Sequence, residues 1–242
     1  CSGDIIIPDS VKSIGEYAFK ACDSLTSIEI PDSVTSIGNN AFYGCISLTS
    51  IKIPDSVTSI KSGAFYGTLW LKEKQKENPL VIVNNILIDG KTCSGDVVIP
   101  DSVKSIADRA LSDCTSLTEI TILNPECDIA DYNSTISNGH NGKDYYFDGT
   151  IYGYENSTAQ AYAEKYEKNF VSLGKAPEKT TATGDMNGDN SVNISDAVLI
   201  QEYLLGRYTF TEEQLKNADM TGDGVIDSFD LVLLKRKAVY GE

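Results

Sequence analysis

The sequence predicts an α+β solenoid of 23-residue repeats, followed by a small all-α domain built on two paired acidic loops. Three observations carry that prediction. The string Ile-x-Ile-Pro-Asp-Ser-Val-x-Ser-Ile recurs down the first 120 residues. A short polar stretch, Lys175–Gly184, then carries no periodicity. Beyond it, one comb of short acids and amides appears at 185–196 and again 34 residues later at 219–230.

The repeat sets the frame of the solenoid. IIIPDSVKSIGEYAFKACDSLTS opens at Ile5, IEIPDSVTSIGNNAFYGCISLTS at Ile28 and IKIPDSVTSIKSGAFYG at Ile51. VVIPDSVKSIADRALSDCTSL follows from Val97, and Ile120 begins a fifth copy. Pro8, Pro31 and Pro54 are spaced by 23, and Pro100 lies two periods beyond Pro54. A period of this length belongs to chains that stack one rung per repeat, about 4.8 Å apart. The Ile-x-Ile pair alternates in and out as a strand, which Pro closes because it has no N–H to give the ladder. The inward set is Ile28, Ile30, Val34, Ile37, Ala41, Phe42, Cys45 and Leu48, repeated in neighbouring rungs. Each such buried aliphatic contributes about 1.5–3 kcal/mol, enough for stacking alone to hold the domain. The skipped copy is replaced by WLKEKQKENPLVIVNNILIDGKT, which predicts a short helix and a hairpin turning at Asn84-Asn85, residues that tolerate positive φ.

This pattern, quoted four times over, resembles the BspA-like leucine-rich repeats of bacterial surface and secreted proteins, across residues 1 to about 123. The fold class is thereby a leucine-rich-repeat solenoid. From Pro125 to Gly174 the period fades, as an atypical closing unit requires. A helix from about Ser157 to Lys168 and a strand at FVSL are expected there. Tyr145, Tyr146, Tyr152, Tyr154, Tyr162 and Tyr166 belong to this stretch. They read as a cap packed on the last rung or, less economically, as an aromatic platform for sugar.

Cys22, Cys45 and Cys114 share one repeat position, taken by Thr68 in the third rung; Cys1 and Cys93 share another. A position that accepts Thr is a small packing position, not a metal ligand. Adjacent rungs put Cys22 within reach of Cys45, but a buried ladder of reduced thiols is the favoured reading. No Cys-x-x-Cys or Cys/His cluster suggests zinc.

With 20 Lys and Arg against 35 Asp and Glu, the chain carries a net charge of −15. Nucleic acid and anionic membrane both need a basic face, so neither is an expected partner. No stretch reaches the ~20 apolar residues of a membrane span. The opening CSGDIIIPDSV recurs as CSGDVVIPDSV from Cys93, so the expectation is a piece of a longer protein that begins inside a repeat. The domain boundaries read as 1–174 for the solenoid with its cap at about 125–174, 175–184 for a linker and 185–242 for the second module.

The two combs match what a hard divalent cation requires: oxygen donors at positions 1, 3, 5, 7, 9 and 12 of a 12-residue loop. In the first loop these are Asp185, Asn187, Asp189, the Ser191 carbonyl, Asn193 and Asp196. In the second they are Asp219, Thr221, Asp223, the Val225 carbonyl, Asp227 and Asp230. Two Ca²⁺ are expected, and Mg²⁺ is disfavoured by so crowded a carboxylate cage. Position 8 is apolar in both loops (Val192, Ile226), as where paired loops form a small antiparallel contact. Position 6 needs a left-handed turn, which suits Gly224 and, next best, Asn190. Thr221 offers a hydroxyl where Asn187 offers a carbonyl oxygen, which points to a weaker second site. Position 12 is Asp rather than the Glu of ordinary EF-hands. Helices follow at SDAVLIQEYLLG and SFDLVLLKRKAV, and between them Thr211 and Gln214 stand in capping-box spacing.

Loop–helix, short helix, loop–helix with Asp at position 12 resembles a type I dockerin, from Gly184 to about Tyr240 and including Leu234-Lys235-Arg236. The resemblance implies a calcium-folded plug that binds a cohesin module of a scaffoldin in a cellulosome. Its recognition positions fall here on Ile194, Ser195, Val198, Gln201 and Glu202 in the first copy. In the second they fall on Ser228, Phe229, Val232, Lys235 and Arg236. Equivalent positions thus pair Ile-Ser with Ser-Phe and Gln-Glu with Lys-Arg, and one cohesin surface cannot suit both. A single docking orientation is expected. Val198, Leu199, Leu231 and Leu234, at helical spacing, read as core in preference to interface, the last three most of all. Lys235-Arg236-Lys237 reads equally as interface or as a solvated helix end near the C-terminal dipole.

The function that follows is a non-catalytic, extracellular interaction protein, secreted or held at a cell surface through a scaffoldin, with the ligand of the repeats unassigned. The alternative is a fragment of a larger cellulosomal enzyme, polysaccharide-degrading or peptidase, whose catalytic module lies upstream. Within these residues the only histidine, His140, sits in SNGHNGKD with no nucleophile or carboxylate pair around it. A calmodulin-like sensor lacks support: entering helices are missing and the only two methionines, Met186 and Met220, lie in the loops.

Overall fold

The structure, a computed structural model, describes residues 5–177, 183–189 and 191–240. The turn expected at Asn190, the Cys1 position and half of the linker lie outside them. Two compact units divide at Ala176 and Pro177.

In the first unit each repeat runs through a fixed series of bonds. Pro-Asp-Ser-Val is a turn, closed by Val11 N to Pro8 O, Val34 N to Pro31 O and Val57 N to Pro54 O at 3.0–3.1 Å. Its serine stitches rungs together: Ser33 Oγ donates to Val11 O at 2.6 Å and Ser56 Oγ to Val34 O at 2.9 Å. The Ile-x-Ile strands pair in parallel, Ser27–Glu29 against Ser50–Lys52, with Ile28 opposite Ile51. A second ladder stands beside the first. Ser13–Ile14, Ser36–Ile37 and Ser59–Ile60 form a three-stranded parallel sheet, one repeat apart. Hydrophobic alternation does not predict these strands, because two residues are too few to display a period.

The inward set is buried as expected, from Ile28 to Leu48. Its centre is a column of rings. Phe19 stacks on Phe42 at 5.0 Å, Phe42 on Phe65 at 5.6 Å, and Trp70 meets Phe65 at 4.8 Å. The substitution of Thr68 for cysteine has a local reason. Thr68 caps helix α1 (Leu69–Glu77): its hydroxyl donates to Phe65 O at 2.8 Å and accepts from Leu71 N at 3.1 Å. A hairpin follows, Val81–Val83 antiparallel to Ile86–Asp89, turning at Asn84 (φ 48°) and Asn85 (φ 62°). The insert keeps the solenoid continuous: Asn84 Nδ2 donates to Pro54 O and Val57 O, and the second hairpin strand pairs in parallel with Ser105–Ile106.

Past residue 125 the period fades but the ladders do not. Asp128–Ile129 pairs in parallel with Ser105–Ile106, in the sheet that holds the hairpin strands. Gly95–Ile99, Leu117–Ile122, Thr150–Gly153 and Asn169–Ser172 form one four-stranded parallel sheet, so the closing segment adds two strands rather than only a lid. Helix α2 (Thr158–Lys165), capped by Ser157, covers it. Tyr162 is buried, donating its hydroxyl to Tyr132 O at 2.9 Å, and Tyr166 packs on it at 4.9 Å. The cap reading therefore holds for these two rings. His140 is exposed in a hairpin, against Tyr145 at 4.7 Å.

Lys168 is buried in the cap, its Nζ on Asn133 Oδ1 at 2.8 Å, and burial pushes its pKa down to about 8. Above that value, up to the ordinary lysine range, the unfolded chain holds a proton that the folded one has shed. Stability therefore rises with pH across this window, and the cost of the buried cation is fully present below it. Lys168→Met is expected to flatten that rise in urea titrations run between pH 7.5 and 10.5. An unchanged slope would discard the assignment.

The cysteine reading needs one correction. Cys22 is disulfide-bonded, whereas Cys45, Cys93, Cys114 and Cys127 are free thiols. Burial does not by itself keep a thiol reduced: Cys22 is as buried as the free Cys93. Cys45 Sγ points to Phe19 O at 2.9 Å and Cys114 Sγ to Gly90 O at 3.4 Å. Burial pushes Cys114 and Cys127 up to about 12 and Cys93 to about 11. Because the thiolate is the nucleophile, iodoacetamide at pH 8 is expected to leave all four thiols unlabelled until denaturant is added. Native labelling at the rate of a free peptide thiol would contradict the burial.

In the second unit, α3 (Ile194–Leu204), α4 (Glu212–Ala218) and α5 (Ser228–Tyr240) surround a small core of Met186, Ala197, Ile200, Phe210, Ala218 and Leu234, with Leu199 and Leu231 partly buried against it. Capping boxes open α3 (Asn193 with Asp196) and α4 (Thr211 with Gln214).

Candidate metal centre and docking face

The two acidic loops share most of their side-chain bonds and differ at Met186 and Met220, whose amides go to Asp196 and to Ala218 O respectively. The position-12 aspartate ties each loop end to its start. Asp196 Oδ1 accepts from Met186 N at 2.7 Å and Asn187 N at 3.2 Å, while its Oδ2 accepts from Asn193 N at 2.9 Å. Asp230 accepts the counterparts of two of these bonds, from Thr221 N at 3.0 Å and Asp227 N at 2.8 Å. The position-1 aspartates accept from the amide three residues on: Gly188 N to Asp185 and Gly222 N to Asp219, both at 2.7 Å. These position-4 glycines sit at φ 72° and 75°, a requirement the spacing of acids does not reveal. Gly224, at position 6, has φ 81°. Asp189, Asn193, Asp223 and Asp227 each accept from the amide two residues on, at 2.6–2.8 Å. Bonds from Gly224, Gly222 and Asp223 amides hold the Asp219 carboxyl below the usual carboxylate range.

The residues fit calcium. The donor set is oxygen throughout: carboxylates, the amides of Asn187 and Asn193, the Thr221 hydroxyl and the carbonyls of Ser191 and Val225. Asp185, Asp196 and Asp230 are buried, and among the described residues no lysine or arginine pairs with Asp196 or Asp230. Buried carboxylates in that condition call for a counter-charge. No three Asp, Glu, His or Cys side chains of the described residues form a metal cluster by themselves, so neutral oxygens must complete any cage. Val192 and Ile226 form no β-bridge among the described residues. They pack instead on the core around Met186 and Leu234, which joins the loops through side chains rather than through backbone.

The candidate docking residues are at the surface. Ile194 and Val198 on α3 are 58% and 52% exposed, and Phe229 and Val232 on α5 are 71% and 62% exposed. Ser195, Gln201, Ser228, Lys235 and Arg236 are also exposed, and Glu202 is half-buried with Arg207 at 3.6 Å. Leu234 is fully buried, whereas Lys237 donates to Thr183 O at 2.9 Å and is half-buried. Four large apolar side chains thus stand in water on α3 and α5.

Residues 2–118 and 89–138 match the family described as BspA type leucine rich repeat region, in six copies. Residues 183–237 match the type I dockerin domain. Among solved structures, the chain is similar to a leucine-rich-repeat protein of T. pallidum (20% identity, 69% of this chain and 81% of that one, TM-score 0.32). It is also similar to a leucine-rich cell-surface protein of Faecalibacterium prausnitzii (28% identity, 63% and 35%, TM-score 0.29). The pneumococcal vaccine antigen PcpA matches at 16% identity over 68% and 40%, TM-score 0.30. No curated protein matches. No described helix is long and apolar enough to cross a membrane.

Proposed function

Because the chain belongs to the BspA-type leucine-rich-repeat family and carries a type I dockerin domain, we propose that it is an extracellular attachment protein. In this reading its second unit binds two Ca²⁺ and docks in one orientation into a cohesin of a scaffoldin. The repeats contact a further protein or surface. Both modules are interaction modules, not catalytic ones, and a dockerin carries a cohesin-binding, cellulosomal role. Asp185, Asn187, Asp189, Asn193 and Asp196, with the Ser191 carbonyl, would hold one ion. Asp219, Thr221, Asp223, Asp227 and Asp230, with the Val225 carbonyl, would hold the other. When bound, calcium supplies a counter-charge to the buried carboxylates of Asp196 and Asp230.

The observation that carries the docking reading is the exposure of Phe229 and Val232 above Lys235 and Arg236 on one helix. Ile194 and Val198 lie above Gln201 and Glu202 on the other. Apolar anchors supply most of the affinity of such a contact, and the charges choose its partner and register. The two helices offer opposite charge at equivalent places, so a cohesin that fits one is mismatched to the other.

The test is titration of the intact chain against a panel of cohesins in calcium, with Ile194→Asp/Val198→Asp and Phe229→Asp/Val232→Asp as variants. One pair is expected to lose about 30-fold or more in affinity, the loss of a buried hot spot. The other pair should stay within about threefold of the parent. Equal losses for both pairs would mean two usable orientations and would remove the proposal's central claim.

A further inference from the structure

The start of the first acidic loop is held by a helix that gives it no ligand. Gln214 on α4 donates its Nε2 to Met186 O at 2.9 Å, while its Oε1 accepts from Thr211 N at 3.1 Å. One turn later Asn217 Nδ2 donates to Asp185 O at 3.2 Å, and Asn217 O accepts from Gly184 N at 2.9 Å. Three bonds thus run from α4 to three successive residues at the point where the loop's first donor, the buried Asp185, must be placed. The approach is close from the other side as well. Gly184 has φ 100°, and a Cβ there would lie 2.7 Å from Leu234 and 3.2 Å from both Met220 and Val192.

The opposite end of the same helix closes on the second loop. Asp219, the first donor of that loop, is the C-cap of α4, with its N–H on Leu215 O at 3.2 Å. Seven residues therefore span the first donors of both loops. A segment this short is marginal as a helix by itself and takes its order from what binds its ends.

We infer that α4 is a strut coupling the two calcium loops, with Gln214 and Asn217 as positioning residues for the first. This rests on the calcium reading above. Order imposed at Asp219 fixes the C-terminal turn of α4, which sets both amides against the Asp185–Met186 backbone. By linkage the effect is reciprocal: an ion at either loop raises affinity at the other by one common factor. Groups that hold the backbone or side chain of a metal ligand typically change metal affinity 10- to 100-fold when removed.

The test is calorimetric titration of the full chain with CaCl₂ alone, the two binding events being assigned from Asp185→Ala and Asp219→Ala. Gln214→Glu is the informative variant. Glutamate keeps the acceptor that closes the capping box on Thr211, but it replaces the donor to Met186 O by a second oxygen. The expected result is a first-loop affinity weakened about 10-fold or more, with helicity by circular dichroism retained. The second-loop event, measured in the Asp185→Ala background, should then be unmoved. Asn217→Asp is expected to act likewise. In Asp219→Ala the first loop should weaken by a similar factor, and adding Gln214→Glu should cost little more, because one strut cannot be lost twice. First-loop affinity within twofold of the parent in Gln214→Glu, or losses that simply add, would overturn the strut. Absence of any calcium heat in the unmodified chain would instead overturn the calcium reading itself.

Discussion

Replacing Asp185 and Asp219 together by alanine is expected to abolish the folded state of residues 183–240 while leaving the repeat domain's unfolding transition where it is. The second unit has only six buried apolar side chains among its described residues, and two of them are alanines. A module so small rarely holds itself together by apolar burial. Metal affinity is then folding free energy. The two aspartates also accept amide bonds from Gly188 and Gly222, so loss of structure in the alanine variant has two candidate causes. Asparagine separates them, since its side-chain oxygen still accepts those amides but lacks the charge a Ca²⁺ ligand contributes. The Asp185→Asn/Asp219→Asn chain is therefore expected to behave like the alanine variant, and chelator should do the same to the parent. Far-UV circular dichroism in millimolar calcium reads the helices of the second unit. The emission of Trp70, the chain's one tryptophan, reads the first. Native helicity in the asparagine variant would show that the carboxylates serve as loop scaffolding alone.

Legibility in the sequence follows from what kind of interaction makes each feature. The rung frame is readable at Ile28, Ile51 and Pro31 because one packing problem is solved repeatedly by one answer. The Asn84-Asn85 hairpin is readable because positive φ narrows the choice of residue. The second ladder is not, since a pair such as Ser36–Ile37 is shorter than any period. Nor is Thr150–Gly153, which joins its sheet by backbone bonds that any side chains permit, whereas Asn169–Ser172 lies within one residue of the strand expected at FVSL. The acidic combs stand out because the donors recur at fixed spacing. The hold of Gln214 and Asn217 on residues 184–186 does not, because a side chain reaching a distant carbonyl leaves no local pattern; only the capping box at Thr211 and Gln214 shows.

Phe42→Ala is expected to cost the repeat domain about 3–5 kcal/mol, the range for removing a buried aromatic ring. Phe42 is fully buried in the middle of a column, with Phe19 at 5.0 Å and Phe65 at 5.6 Å. The cavity left behind has little room to close. Rungs on either side are kept at strand spacing by both ladders and by bonds such as Phe19 N to Ala41 O and Phe42 N to Ala64 O, each 2.7 Å. A rigid surround puts the cost toward the upper part of that range, because unrelaxed volume adds to the lost transfer free energy. Tyr43 is the control. It stacks on Tyr66 at 5.4 Å but stands in water, so Tyr43→Ala should cost no more than about 0.5–1.5 kcal/mol, the worth of a ring pair. Urea unfolding followed at Trp70, which packs on Phe65 at 4.8 Å, measures both. Because each rung touches only its neighbours, the damage should also lower the cooperativity of that transition, while calcium-dependent helicity of the second unit stays at the parent's value. A Phe42→Ala loss below the Tyr43→Ala loss would mean that the ladders, not the ring column, hold the solenoid.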